Sequence, residues 1–340
     1  MQCEITSSWN KYLEKFPPEK KDIYFTEEYV NLYKDSEHTP ECIVASEGAN
    51  ILLMPYLRAE VGDLHDFETA YGYGGPIANT EHHDFIRKAL DEIARFLCEK
   101  NYVCGFTRFH PLLKNAEYCK DAMDVLFDRH TVTIDTGISE DDIWSTMIKS
   151  KNRNMIRKAE KNGLVYKAEE DFASLPEFVE LYNATMKRLD ADSFYFFGDD
   201  YYRVYVKALA GRGFLGTVRL DGKLICGALF MYSEDFGHYH LEGSDRQYSS
   251  LGANNFLLWN TACEMHRRGV KQFHLGGGYN SDEENSLFKF KKAFSPILTD
   301  FYIGKQIFNK EAYDDIKADW VKKNPEKEEV YGNRLLCYRY

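Results

Sequence analysis

Apolar positions recur along this chain with two different periods, and the switching between them lays out its elements. Spacings of three and four mark helices. Tyr29, Leu32 and Tyr33 fall on one side of a short helix over residues 23–33, with Thr26 as its cap. Phe85, Ala89, Ile93, Phe96 and Leu97 do the same for a longer helix that opens at His82 or Asp84 and ends near Asn101. β-Branched and apolar runs predict strands at 41–46, at 49–58 after a Gly48 turn, at 103–109 and at 130–135. The pattern then restarts. Helices are expected over 141–147, 149–161, 175–188 and 199–210, with Gly163 and either Gly211 or Gly213 as stops. Strands follow at 214–220 and 224–232 around an Asp221-Gly222 turn, and at 237–242. From His238 to Gly278 the chain reads as strand, loop, helix, strand and glycine turn. The helix runs from Asn254 to Arg268, Gly269 stops it, and 270–275 leads into Gly276-Gly277-Gly278. A strand at 301–308 and a helix at 309–320 close the series.

Both halves thus follow one rough order of helices, a strand hairpin, a strand, a helix and a strand, without residue-level similarity. A length of 340 residues suits about two domains. With 44% hydrophobic and 15% aromatic residues, there is material for two packed cores. No apolar run approaches the ~20 residues of a membrane span, and the N-terminal residues do not read as a signal peptide, so the expected location is the cytoplasm. A net charge of −11 argues against wrapping a long nucleic acid. One local exception stands out: Lys149, Lys151, Arg153, Arg157, Lys158 and Lys161 crowd into one predicted helix, which leaves room for contact with a tRNA end. None of the eight cysteines forms Cys-x-x-Cys, so reduced thiols are expected rather than disulfides or zinc.

The candidate chemistry gathers around the 237–242 strand. Strict alternation would point His238, His240 and Glu242 to one face and Tyr239 and Leu241 to the other. Two imidazoles and a carboxylate there could handle protons; the plainer reading is hydrogen-bonded structural residues. No further ligand pattern supports a metal. The loop 243–253 carries Arg246 and Gly252 and opens the helix at Asn254, an arrangement suited to a pyrophosphate, although it is no Walker motif. After Gly277 and Tyr279, residues 287–294 alternate apolar and basic. Lys291 is a candidate oxyanion donor, while Lys289 and Lys292 read as a solvated edge. Arg153 and Arg157, four apart, share a helix face that could grip a phosphate or carboxylate or lie solvated. Tyr71-Gly-Tyr73-Gly-Gly-Pro76 is either a turn or a ligand loop.

Several of these stretches together resemble the Fem family of peptidoglycan-bridge aminoacyltransferases and its GNAT-type acyltransferase relatives. They are Tyr71–Pro76, Arg108-Phe-His-Pro111, the basic run Lys151–Gly163, the Gly252–Gly278 layout, and Phe290-Lys291-Lys-Ala-Phe294-Ser295. The resemblance implies an α/β fold of mixed sheets in two tandem GNAT-like domains. These would be 1–130, completed by the tail 301–340, and 131–300. It implies transfer of an acyl or aminoacyl group to an amine of a nucleotide- or lipid-linked cell-envelope precursor. The donor would be aminoacyl-tRNA or acyl-CoA, with no tightly bound cofactor. Glu242 or His240 would handle the proton and Lys291 would face the oxyanion. Tyr71, Tyr73, Arg108, Lys151, Arg153, Arg157, Arg246, Gly252, Asn254, Gly277 and Tyr279 would contact substrates. Two departures matter: the chain lacks a long charged helical hairpin, and Arg246 and Gln247 stand too far from Gly252 for the strict GNAT phosphate pattern. An acyl-CoA N-acyltransferase and a non-catalytic GNAT-fold ligand binder are the alternative readings.

Overall fold

A computed structural model describes residues 1–340. The chain divides into two compact units, one of residues 1–128 with 300–340 and one of residues 129–299. The strands in chain order are β1 (Gln2–Thr6), β2 (His38–Glu47), β3 (Asn50–Val61), β4 (Leu64–Glu68), β5 (Ile77–Ala78), β6 (Tyr102–Arg108), β7 (Asp124–Asp135), β8 (Val165–Glu169), β9 (Gly213–Leu220), β10 (Lys223–Tyr232), β11 (Phe236–Ser244), β12 (Gln272–Gly276) and β13 (Leu298–Ile307). The unit boundaries fall within β7 and near the start of β13.

In the first unit, β1, β2, β3 and β4 form an antiparallel ladder, in register at Ile43↔Met54 and Arg58↔Phe67. The helix His83–Glu99 follows. It buries Phe85, Ile86, Ala89, Ile93 and Leu97 against Leu52, Met54, Tyr56 and Phe67 of the ladder. Asn101 then takes a left-handed φ of 62° and turns the chain into β6, which runs parallel to β4. The C-terminal strand β13 adds antiparallel to β6.

The second unit repeats this order. β8, β9, β10 and β11 form the antiparallel ladder, the helix Ala253–Arg267 crosses over, β12 lies parallel to β11, and β7 adds antiparallel to β12. Phe256, Leu257, Leu258 and Met265 of that helix pack on Phe214, Val218, Phe230 and Phe273. Each such burial stabilises by about 1.5–3 kcal/mol. On the other face of the sheet lies the helix Leu175–Arg188. Gly243 sits so close that a Cβ there would meet the Tyr182 backbone at 2.7 Å.

Some expectations need correcting. The helix over 23–33 is broken into 3-10 turns at Ile23–Phe25 and Asn31–Tyr33 around Glu27–Val30, which Thr26 does cap. Residues 143–147 form a π-helical turn. The alternating stretch 287–294 is not an edge strand but part of the helix Ser286–Lys292, whose first turn Asn285 caps through the Phe288 N–H at 2.8 Å. Its buried pair, Phe288 and Lys291, has helical spacing. Strands β1, β4 and β8 escaped the sequence pattern because they are five residues each and rich in polar positions.

Candidate active site

The site begins with an irregularity in β11. Leu229 pairs with Leu241 and Phe230 with Tyr239, so His240 is an extra residue, a β-bulge. A bulge reverses the face on which every following side chain emerges. Tyr239 therefore faces the Ala253–Arg267 helix, stacked on Phe230 with ring centroids 5.6 Å apart. Glu242, opposite Ala228, faces the same way. His240 emerges on the other face. It meets the Tyr201 hydroxyl at 2.7 Å and lies parallel to the Tyr205 ring at 5.6 Å, both on the helix Asp199–Ala208. His238 sits edge-on to its β12 neighbour His274. The expected single face of His238, His240 and Glu242 is thus wrong: the bulge separates the carboxylate from the imidazoles and places Tyr239 beside it.

Three elements converge on Glu242. From the first turn of the Ala253–Arg267 helix, the Asn254 amide donates to Glu242 Oε1 at 2.8 Å. From β10, the Cys226 thiol donates to the same oxygen at 3.7 Å. From the Ser286–Lys292 helix, Lys291 enters the interior at 8% exposure, donates from Nζ to the Gly277 carbonyl at 2.8 Å, and lies 5.6 Å from the centre of the Tyr239 ring. Burial pushes the Glu242 carboxyl above its ordinary value, against the pull of Ser244, Cys226, Arg188 and Asn254. Burial also brings the Lys291 ammonium down to about 8, with Glu242 opposing the drop. A carboxylate made more basic and a cation held without an ion-pair partner thus share one partly buried face, a pairing suited to proton transfer and to stabilising a developing anion. His240, by contrast, is pushed down to about 3 by burial and by His238, so it is neutral across the physiological range.

The remaining candidates divide clearly. Gly252 takes a φ of 83° at the head of its helix, and a Cβ there would come within 2.7 Å of the Met155 carbonyl. The glycine thus lets the Ser150–Lys161 helix pack against this corner. Gly277 likewise admits Arg129 and the His130 carbonyl, and its own carbonyl holds Lys291. Arg153 and Arg157 make different contacts within the unit. Arg153 donates to the carbonyls of Trp144, Ser145 and Ile148, closing the π-helical turn, and Arg157 lies over the Trp144 ring at 5.3 Å. Lys151, Arg246 and Tyr279 are exposed. Tyr71, Tyr73 and Arg108 belong to the first unit. Arg108 pairs with Glu68 at 2.9 Å and donates to the Thr69 carbonyl, Tyr73 packs edge-on against Tyr24 and Phe301, and Tyr71 leans on Tyr33. Sequence reasoning missed Tyr239 and Cys226, since strict alternation turned Tyr239 away from Glu242.

Residues 148–292 match the model of the family described as Acetyltransferase (GNAT) domain. That span contains β8 to β12, Glu242, Asn254 and Lys291. Among solved structures, the chain is similar to FemX, with a TM-score of 0.72 at 14% identity, covering 92% of this chain and 99% of that one. It is similar to the C-terminal domain of a proposed lysylphosphatidylglycerol synthetase from Agrobacterium fabrum, with a TM-score of 0.57 at 15% identity over 88% and 92% of the two chains. A tandem GNAT protein from the clavulanic acid biosynthesis pathway gives a TM-score of 0.50 at 8% identity over 89% and 98%. The comparison with curated proteins gives no match. No helix is long and apolar enough to cross a membrane. Residues 148–292 thus match a GNAT acetyltransferase domain, and the chain as a whole shares its fold with FemX.

Proposed function

We propose that the protein forms an amide between an aminoacyl group carried by tRNA and an amine of a nucleotide- or lipid-linked cell-envelope precursor, in the cytoplasm. The observation that supports this reading is the partly buried face shared by Glu242, Tyr239 and the buried Lys291. The acceptor nitrogen attacks the acyl carbonyl carbon, a C–N bond forms, and the carbonyl electron pair moves onto oxygen. Lys291 Nζ, released from the Gly277 carbonyl, donates to that oxyanion. Glu242 takes the proton that the amine must lose, and burial makes its carboxylate more basic than an exposed one. Collapse of the intermediate breaks the C–O ester bond, and the proton passes from Glu242 to the departing ribose hydroxyl. Asn254 holds the carboxylate in place throughout.

The fold shared with FemX and with a domain named for a lysylphosphatidylglycerol synthetase supports an envelope acceptor. A second reading keeps the same residues and takes the acyl group from CoA. It is favoured by the matched family's description as an acetyltransferase and by a neighbour described in relation to AcCoA. Turnover measured side by side with aminoacyl-tRNA and with acetyl-CoA separates the two. Amide formation from the tRNA donor alone is expected, and turnover of acetyl-CoA alone overturns that donor. If Glu242→Gln and Lys291→Ala both leave turnover unchanged, the site itself is wrongly assigned.

A further inference from the structure

The Ser150–Lys161 helix is electrostatically out of keeping with the rest of the chain. The protein carries a net −11, yet residues 149–161 hold six cations, Lys149, Lys151, Arg153, Arg157, Lys158 and Lys161, against the single acid Glu160. Some exposed lysines elsewhere are neutralised, Lys88 by Glu47, Lys310 by Asp314 and Lys323 by Asp319, while others such as Lys187 and Lys322 have no such partner but lie outside any cluster of this kind. Lys149, Lys151, Lys158 and Lys161 have no carboxylate within the 4.0 Å of an ion pair. Lys149 stands at the helix cap without a side-chain hydrogen bond, Lys151 lies in the first turn, and that turn holds no acid. Lys158 and Lys161 in the last turn are favourably placed, but Lys149 and Lys151 lie at the positive end, where each cation costs about 0.3–1 kcal/mol. A bound polyanion would reverse the sign.

The geometry adds direction. Lys151, Asn154, Lys158 and Lys161 are all exposed and fall at i, i+3, i+7 and i+10, one straight stripe, while Asn152, Ile156 and Ala159 are buried on the other side. Ten residues of helix rise about 15 Å. That is several times the length of a diphosphate, which a single helical turn would satisfy. A membrane-binding helix presents apolar side chains between its cations, and this stripe has none. The helix also abuts the reaction centre. The Lys149 N–H bonds the Ala293 carbonyl at 2.9 Å, two residues beyond Lys291, and Met155 touches Gly252, two residues before Asn254.

We propose that this stripe is the docking surface for the phosphodiester backbone of an RNA that delivers the acyl group. The proposal rests on the transferase reading above, because an RNA-borne acyl group is the donor whose phosphates extend this far from the reacting carbon.

Equilibrium binding of deacylated tRNA to the full chain, followed by fluorescence anisotropy over a range of salt concentrations, tests it. The wild type is expected to bind with an affinity that falls steeply with salt. The variant K151Q/K158Q/K161Q is expected to bind at least about tenfold more weakly, with a log–log salt slope shallower by about two to three, at ~0.7–0.9 for each phosphate no longer neutralised. The variant K88Q/K310Q/K323Q removes the same charge elsewhere and is expected to bind like the wild type. If the stripe variant fails to fold, K158Q alone is expected to lower the slope by about one. Equal weakening in both triple variants, unchanged binding in the stripe variant, or a wild type that binds phosphatidylglycerol vesicles but not tRNA would each overturn the surface. RNA binding that is lost with the stripe, in a protein that turns over only acetyl-CoA, supports the surface and overturns the donor reading alone.

Discussion

Two carboxylates at matching places in the two units have opposite fates. Glu68 closes β4 and Glu242 lies near the end of β11; each strand is the fourth of its ladder and the parallel neighbour of the strand after the crossover helix. Burial alone would raise both. At Glu68 the guanidinium groups of Arg108 and Arg339, each at 2.9 Å, outweigh burial and hold the carboxyl below its ordinary value. At Glu242 no arginine forms an ion pair, the partners are the Ser244 side chain, a thiol and an amide, and burial wins. One fold thus supplies a neutralised structural carboxylate in one unit and a basic one in the other. The difference lies in the partner set, not in the topology.

The comparison breaks most severely at Glu242. Glu242→Gln keeps the Asn254 contact but cannot accept the amine proton, so turnover should fall by about 10²–10⁴ with the fold intact. A steady-state assay at saturating donor reads this directly, and a loss confined to KM would sink the proton-transfer role. Lys291→Ala comes next, with an expected loss of about 10²–10³ for a missing oxyanion donor. The proposed role needs the lysine protonated, and burial brings it down to about 8, so wild-type turnover should decline as pH rises through that value. Stability moves the other way. The folded ammonium loses its proton near 8 and the unfolded one at 10.5, so the burial penalty is present in full below pH 8 and is relieved between the two. Denaturant unfolding should therefore show a stability gain over that window that Lys291→Met abolishes.

In the first unit the expected effect is on folding. Arg339 pairs with fully buried Asp66 and with Glu68, while Tyr338 donates to Asp66 at 2.7 Å. Arg339→Ala leaves Asp66 buried beside its remaining partner and should cost about 3 kcal/mol, measured by urea titration. An effect under about 1 kcal/mol would show that solvent reaches Asp66. Asn254→Ala should be milder. It removes one hydrogen bond to a carboxylate, about 1.5–3 kcal/mol at most, and should lower kcat about tenfold without the loss of fold expected at Arg339.

How much of this was legible beforehand follows from local physics. The helix over 175–188, the 214–232 hairpin and the Gly163 and Gly269 stops were readable because period, turn residues and left-handed glycines are properties of a few neighbouring residues. Lys291 was singled out within the alternating run 287–294, although that run folds as a helix. The partner set of Glu68 was not, since Arg339 is more than 270 residues away along the chain. Nor was the bulge at His240. Neither its neighbours nor its composition differ from an ordinary strand, and the extra residue is visible only in the pairing with β10.

That bulge gives the smallest effect on turnover and the sharpest test. If strict alternation held, His240 would stand beside Glu242 and its removal would damage proton transfer as badly as removal of the carboxylate. With the bulge, His240 faces Tyr201 and Tyr205, is held neutral, and is separated from the reacting face by the sheet itself. His240→Gln should then cost about 1 kcal/mol of stability through the Tyr201 hydrogen bond. It should change kcat by less than about threefold and leave the pH profile with its decline near 8. A hundredfold loss in kcat in a folded His240→Gln protein would place the imidazole back in the chemistry and remove the bulge from the account of why Glu242 and Tyr239 share a face.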